Sequence, residues 1–200
     1  MLRERNPDKT REKILVAAAQ EIYHQGYQGM RVNNVLQQTS LTKGALYHHF
    51  PTKADLGYAV VEELLMAEIQ QRWVEPLQQD GNVLDAIINN LQTQCQSATS
   101  EMINCGCPLN NVSQEMSGID EGFRIRIKQV YSAWIDAIAA SLRKGQSKGE
   151  VKLDLDADNT ARFLVASLEG IMGSVKCSQE SENMAALMAC LFDYLNSLRS

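Results

Sequence analysis

The 200-residue chain predicts an all-α fold, with an N-terminal three-helix helix-turn-helix head over residues 1–52 and a helical body over 53–200. Three observations carry that expectation. Only four prolines interrupt the chain. Its long stretches are rich in Ala, Leu, Ile, Met and Gln, and no run alternates apolar and polar residues long enough to make a strand. A hydrophobic content of 44% is enough to build a core.

The elements follow in order. Asn6, Pro7 and Asp8 open the first helix, where a proline's missing N–H costs nothing. Ile14, Leu15, Ala18, Ala19 and Ile22 then share one apolar face, and Gly26 stops it. A second short helix is expected over about 31–39, burying Val32, Val35 and Leu36, with Ser40 and Leu41 as the turn into a third. Thr42 caps that third helix, Pro51 ends it, and Thr52 with Lys53 opens a fourth. The fourth carries Leu56, Val60, Leu64 and Ala67 at helical spacing until Pro76 and the turn at Asp80, Gly81 and Asn82 break it.

Leu84, Ile87, Ile88, Leu91 and Cys95 mark a further amphipathic helix, after which 97–120 reads as less regular. Phe123, Ile127, Val130, Tyr131, Trp134, Ile138 and Leu142 define a long helix ending near 145–149. Two more close the chain, from Ala157 to about Lys176 behind an Asp156 cap, and over about 182–197. The first of these has two faces. Ala161, Leu164, Val165, Leu168, Met172 and Val175 form an apolar one, and Ala166, Gly170 and Gly173 a stripe of small residues. Either one face meets the core and the other a partner subunit, or both pack inside one monomer.

Charge is uneven along the chain. Residues 1–55 carry eight Lys/Arg against five Asp/Glu, whereas 56–200 carry eleven against nineteen, and all three histidines fall in the first part. A basic head on an acidic body suits anion contact at one end and resists general coating of nucleic acid. No segment has the apolar length of a membrane span and the N-terminus has no apolar signal region, so a cytoplasmic protein without membrane contact is expected. Five cysteines in no repeating framework fit free thiols in a reducing compartment.

The stretch LTKGALYHHFPTK at 41–53 packs the parts of a DNA-reading helix into thirteen residues. Lys43, Tyr47, His48 and His49 put polar and aromatic groups on one short helix. Gly44 and Ala45 keep its leading edge small, so that its backbone can approach a groove. Too few apolar residues remain for a core element.

These residues, preceded by TREKILVAAAQEIYHQGYQGM and VNNVLQQTS and followed by a long fourth helix, resemble the tetracycline-repressor (TetR) family of bacterial regulators over about the first 60 positions. GCPLNNVSQEMS resembles a subset with a Gly-Cys element in the ligand domain. The resemblance implies a homodimeric repressor that binds a palindromic double-stranded operator through residues 1–52. A small-molecule effector entering the dimerising 53–200 body would release it. It also implies that Thr42 and Tyr47 bond phosphates, that Lys43 and His48 face the groove or its backbone, and that Lys53 clamps a phosphate with the fourth helix's dipole. Leu46 and Phe50 would pack inside the head. His49 is either a contact or a capping or buried residue, and Arg3, Arg5, Lys9 and Arg11 either touch DNA or form a solvated tail. Arg31-Val32-Asn33-Asn34 departs from the usual start of the second helix, so Arg31 and Asn33 are candidate contacts special to this chain.

The element Cys105-Gly106-Cys107-Pro108 reads two ways. If Cys107 starts a helix, its thiolate is favoured and it becomes a nucleophile toward electrophiles or oxidants, with Lys176 adding positive charge and Cys105 as a resolving thiol. Otherwise the two are small packed thiols. Cys95, Cys105 and Cys107 could bind a soft metal, although no histidine is near to complete a set. Cys177 and Cys190 have apolar helical neighbours and are expected to pack. Trp73, Met102, Met116, Phe123, Tyr131, Trp134, Phe163 and Met172 either line an effector cavity or form ordinary core.

No Ser/His/Asp set, phosphate-binding glycine loop or carboxylate pair points to an enzyme, and no cofactor is expected. The competing reading is a CxC dithiol redox or metal-handling protein, which leaves LTKGALYHHFPTK without a role. An architectural DNA binder without an effector is a third.

Overall fold

The computed structural model describes residues 7–200. Among them the backbone is helical apart from turns and an isolated antiparallel bridge between Val151 and Arg199. Arg3, Arg5 and Asn6 lie outside the described residues.

Helix α1 covers Pro7–Gly29 but leaves helical geometry at Gly26 (φ 73°, ψ 167°), so the predicted stop is a kink after which one more turn forms. Helix α2 is Val32–Thr39 and α3 is Lys43–His49. Between them Ser40 takes the left-handed conformation (φ 56°), and the Leu41 N–H returns to the Leu36 carbonyl, closing the end of α2. Helical winding then fills 53–77 as α4, with π-helical stretches at Val60–Leu65 and Gln70–Val74. Its start is a capping box: Thr52 accepts from the Asp55 N–H at 3.0 Å and Asp55 accepts from the Thr52 N–H at 2.9 Å.

Helix α5 is Val83–Gln96. The stretch 97–120, expected to be irregular, instead holds α6 (Ser100–Cys105) and α7 (Pro108–Met116). Thr99 caps α6 by accepting from the Met102 N–H at 3.2 Å, and Gly106 ends it at φ 72°. Pro108 then fits the first position of α7. Helix α8 is Glu121–Ser147, α9 is Ala157–Ser178 behind the Asp156 cap, and α10 is Ser181–Ser197.

Contacts group the chain into two units. One comprises described residues up to Met66 together with 108–128. Here α1 packs on α2, α3, the start of α4 and α7, around Ile14, Leu15, Ala18, Ile22, Val35, Leu46, Leu56, Val60 and Val112. The other comprises 67–107 and 129–200. Its α9 packs on α6 and α10, around Ile87, Leu91, Ile138, Leu142, Leu164, Leu168 and Leu195.

Two expectations for α9 and α10 resolve. The stripe Ala166, Gly170 and Gly173 is exposed while the opposite face is buried, so α9 does not bury both faces within one chain. Cys177 and Cys190, expected to pack, are exposed as well. The apolar neighbours that reach the core are Val175 on α9, and Met188 and Leu191 on α10.

Candidate functional site

Helix α3 is fixed from both ends and from beneath. Thr42 Oγ1 accepts from the Ala45 N–H at 3.3 Å, the Phe50 N–H donates to the Leu46 carbonyl at 2.9 Å, and Leu46 and Phe50 are buried as anchors. With that face spent inward, Thr42, Lys43, Gly44, Tyr47 and His48 are exposed, and Ala45 and His49 are half-buried. The Lys43 ammonium lies 5.9 Å from the Tyr47 ring centroid, one turn away, so a cation and an aromatic hydroxyl are presented together.

The neighbouring α2 is held on α1 by Glu21, which accepts from Asn34 Nδ2 at 3.0 Å and from Gln38 Nε2 at 2.9 Å. That leaves Arg31, at the cap position, and Asn33, in the first turn, exposed. Lys53 is half-buried: its Nζ donates to the Gln28 carbonyl at 3.1 Å and lies 4.9 Å from the Tyr27 ring centroid. Burial lowers its pKa, with Glu115 pulling the other way. Lys9 and Arg11 belong to α1 rather than to a tail, and Arg11 is committed to a two-pronged bond to Glu63 at 2.5 and 2.7 Å.

Beneath this surface Phe123 is fully buried, its ring 4.5 Å from that of Tyr27 and 4.9 Å from that of Tyr58. Phe123 and Met116 thus belong to the unit that contains α3, whereas the other candidate effector residues belong to the second unit. Asp120 takes the Phe123 N–H at 3.0 Å and the Tyr58 hydroxyl at 2.8 Å; both bonds hold its carboxyl below the usual range, and the second raises the pKa of the Tyr58 phenol.

In the second unit Cys107, directly before α7, is half-buried. Its Sγ donates to Glu169 Oε1 at 3.2 Å, and the Tyr131 hydroxyl donates to the same oxygen at 3.4 Å. Glu169 is buried, and desolvation pushes its pKa up to about 7 against the pull of those two bonds. Lys176 lies two turns further along α9. Its stem packs at Gly106: a Cβ there would sit 3.0 Å from Lys176 Cδ. Trp134 is buried with its ring stacked along that of Tyr131 at 6.5 Å and tilted against that of Trp73 at 5.0 Å. Cys105 is half-buried, and burial raises the pKa of Cys95. Among the described residues no group of three or more His, Cys, Asp or Glu side chains is placed to hold a metal ion.

Sequence reasoning missed Glu169, although a carboxylate one residue after Leu168 in an apolar stripe, and seven before Lys176, was a visible signal. It also missed Glu115 and Asp120, whose partners lie 88 and 62 residues away.

A three-helix head that buries the back of a short helix and exposes its polar front, in a chain that also carries a helical body, defines a helix-turn-helix DNA-binding regulator. Residues 14–60 match the family described as bacterial regulatory proteins, tetR family, and 83–191 match the tetracyclin repressor-like C-terminal domain. The chain is 31% identical over 182 residues to an uncharacterized HTH-type transcriptional regulator of Lactococcus lactis, covering 88% of this chain and 87% of that one. To the HTH-type transcriptional repressor DhaR of Mycobacterium sp. (strain GP1) it is 24% identical over 192 residues, covering 92% and 91%. The crystal structure of reduced Escherichia coli NemR superposes with a TM-score of 0.84 at 24% identity, covering 96% of this chain and 97% of that one.

The chain belongs to the tetracycline-repressor family of DNA-binding transcriptional regulators. Among its described residues no helix is long and apolar enough to cross a membrane.

Proposed function

We propose that the protein is a homodimeric repressor whose residues 1–52 grip a palindromic operator and whose residues 53–200 dimerise and sense an electrophile through Cys107. The observation that carries the DNA half is the exposed front of α3 over a buried Leu46–Phe50 back. Thr42, Tyr47 and Lys53 bond phosphates, Lys43 and His48 face the groove, Gly44 and Ala45 let the backbone come close, and Arg31 and Asn33 add contacts from α2.

The sensing half is supported by the bond from Cys107 to buried Glu169, by Tyr131 on the same oxygen and by Lys176 at Gly106. Cys105 stands two residues away as a resolving thiol. Trp134 walls the site, and Phe123 acts from the packing of its own unit. Dimerisation through α9 and α10 is supported by the exposed Ala166, Gly170 and Gly173 stripe beside Phe163 and Leu187, which are 52% and 37% exposed. The effector favours a body state whose heads no longer match successive major grooves, since a ligand with equal affinity for both states would shift nothing.

The test is fluorescence anisotropy of the purified protein on DNA flanking its own gene, with excess random DNA, before and after a thiol-selective electrophile. Tight binding that is lost on treatment but kept in Cys107→Ser supports the whole reading. Specific binding indifferent to the electrophile removes the thiol and leaves a non-covalent ligand. Salt-sensitive binding without sequence preference would instead favour an architectural DNA binder.

A further inference from the structure

Glu169 is 8% exposed on a helix face otherwise made of Val165, Leu168 and Met172. A buried carboxylate is costly unless it is bonded or used. Its Oε1 faces the Cys107 thiol at 3.2 Å from the segment between α6 and α7, and the Tyr131 hydroxyl at 3.4 Å from α8. Resting on the thiol-switch reading above, we propose that Glu169 is the proton acceptor for Cys107 when that thiol adds to an α,β-unsaturated carbonyl compound, with Tyr131 holding the carboxylate in line.

The step is an addition in which nothing is oxidised or reduced. The Sγ–H proton passes to Glu169 Oε1 while Sγ bonds to the β-carbon. The C=C pair moves toward the carbonyl as an enolate, and the proton then returns from Glu169, directly or through water, to the α-carbon. S–H has been added across the double bond, and Glu169 ends as it began. No leaving group has to be accommodated, so the protein assists by moving the thiol proton and by donating to the carbonyl oxygen on which charge develops.

Three further observations fit. A base works best when it titrates near the working pH, and burial brings Glu169 up to about 7. Among the groups facing it are the Cys107 thiol and the Tyr131 phenol, with the Lys176 ammonium two turns along the same helix. Trp134, stacked along Tyr131, has a buried indole N–H without an acceptor among the described residues, and the carbonyl oxygen of such a ligand is an acceptor.

A thiol left to itself gains rate only as its thiolate forms, through the ordinary thiol range near about 8.5. A thiol with a base beside it gains rate as the base ionises. The full-length protein is treated with methyl vinyl ketone from pH 5 to 10, and the rate of Cys107 alkylation is read by mass spectrometry with peptide mapping. The wild type is expected to show a rise centred near pH 7. Glu169→Gln should lose that rise and react at least about tenfold more slowly at pH 7.5, while Glu169→Asp retains a smaller one.

Circular dichroism checks folding. If Glu169→Gln is unfolded, Glu169→Asp and Tyr131→Phe decide by the height and position of the same rise. Glu169→Gln reacting as fast as the wild type, or a wild type without the rise, overturns the proposal. If the adduct forms on another cysteine, the thiol reading falls and takes this role with it. If it forms on Cys107 and releases DNA while Glu169→Gln changes nothing, the role of Glu169 alone falls.

Discussion

The carboxylate of Glu115 holds the chain at Tyr27, accepting that residue's N–H at 2.8 Å and the next N–H, from Gln28, at 2.7 Å. Both donors follow the Gly26 kink and begin the short turn that closes α1, so an acid on α7 caps a helix start 88 residues earlier in the chain. Gly26 is fitted to this clasp, since at φ 73° its Cβ would lie 2.9 Å from Glu115 Oε2.

Glu115→Ala leaves two N–H groups without their charged acceptor, one of them in a buried residue. A loss of about 2 kcal/mol is expected, which for a chain of this size lowers the melting temperature by roughly 4–8 °C. Glu115→Gln should recover part of it. Calorimetry on the two variants decides, and an unshifted melt for Glu115→Ala would show that water replaces the clasp.

Gly57 marks one of the tightest approaches in the same unit. A Cβ there would sit 2.5 Å from Tyr27 Cε2 and 2.6 Å from Phe123 Cζ. Helix propensity alone would favour alanine by about 1 kcal/mol. The ring stack opposes it, because Tyr27 and Phe123 are already in edge contact with little room to retreat. Gly57→Ala is expected to destabilise by about 1–3 kcal/mol, read as a lower urea midpoint.

What was legible in the sequence follows from the range of the forces involved. Pro7, Thr42, Pro51, Thr52 and Asp156 act on the backbone within a turn, and the helices they start or stop stand where their spacing predicts, whereas Gly26 bends the first helix instead of ending it. Thr99 and Pro108 carry the same kind of local signal, so α6 and α7 were readable too. Gly106 between two cysteines drew attention to thiol chemistry and away from helix ends. The partners of Glu115, Asp120 and Glu169 were not readable, because each lies more than sixty residues away, although the apolar stripe around Glu169 marked that carboxylate as out of place. The exposure of Cys177 and Cys190 depends on which side of α9 and α10 meets the core, and apolar residues on both sides of each helix left that open.

Gly44 separates stability from DNA contact. Nothing lies within 4 Å of a Cβ placed on it, so Gly44→Leu should fold with unchanged or slightly raised stability. If α3 enters a groove with its leading edge against the backbone, the added side chain collides there. Operator affinity should then fall at least tenfold, about 1.4 kcal/mol. Retained affinity in an anisotropy titration would move the contact surface away from this edge of α3.

Lys43 is exposed, so its truncation should leave the melting temperature within about 1 °C. On operator DNA, Lys43→Ala should weaken binding and reduce the slope of log affinity against log salt by about one per head. Tyr47→Phe, which keeps the ring beside Lys43 and removes the hydroxyl, should cost affinity without changing the slope. A Lys43→Ala variant with the wild-type slope would mean that this ammonium neutralises no phosphate.

Glu169 ties stability to pH in the sense opposite to a salt-bridged acid. Its folded pKa is raised to about 7 from 4.5, so between those values the folded state holds the proton more tightly than the unfolded chain. Stability is fully present below about 4.5, falls as pH rises through 7, and levels off above it. The fall amounts to roughly 3 kcal/mol if the side chain stays buried when charged, and less if water follows the charge inward. Glu169→Gln keeps a carbonyl oxygen for the Cys107 and Tyr131 donors and carries no charge, so its urea midpoint should stay flat over that range and exceed the wild type at pH 8. Parallel titrations of the two proteins that fall together would place the titrating group elsewhere.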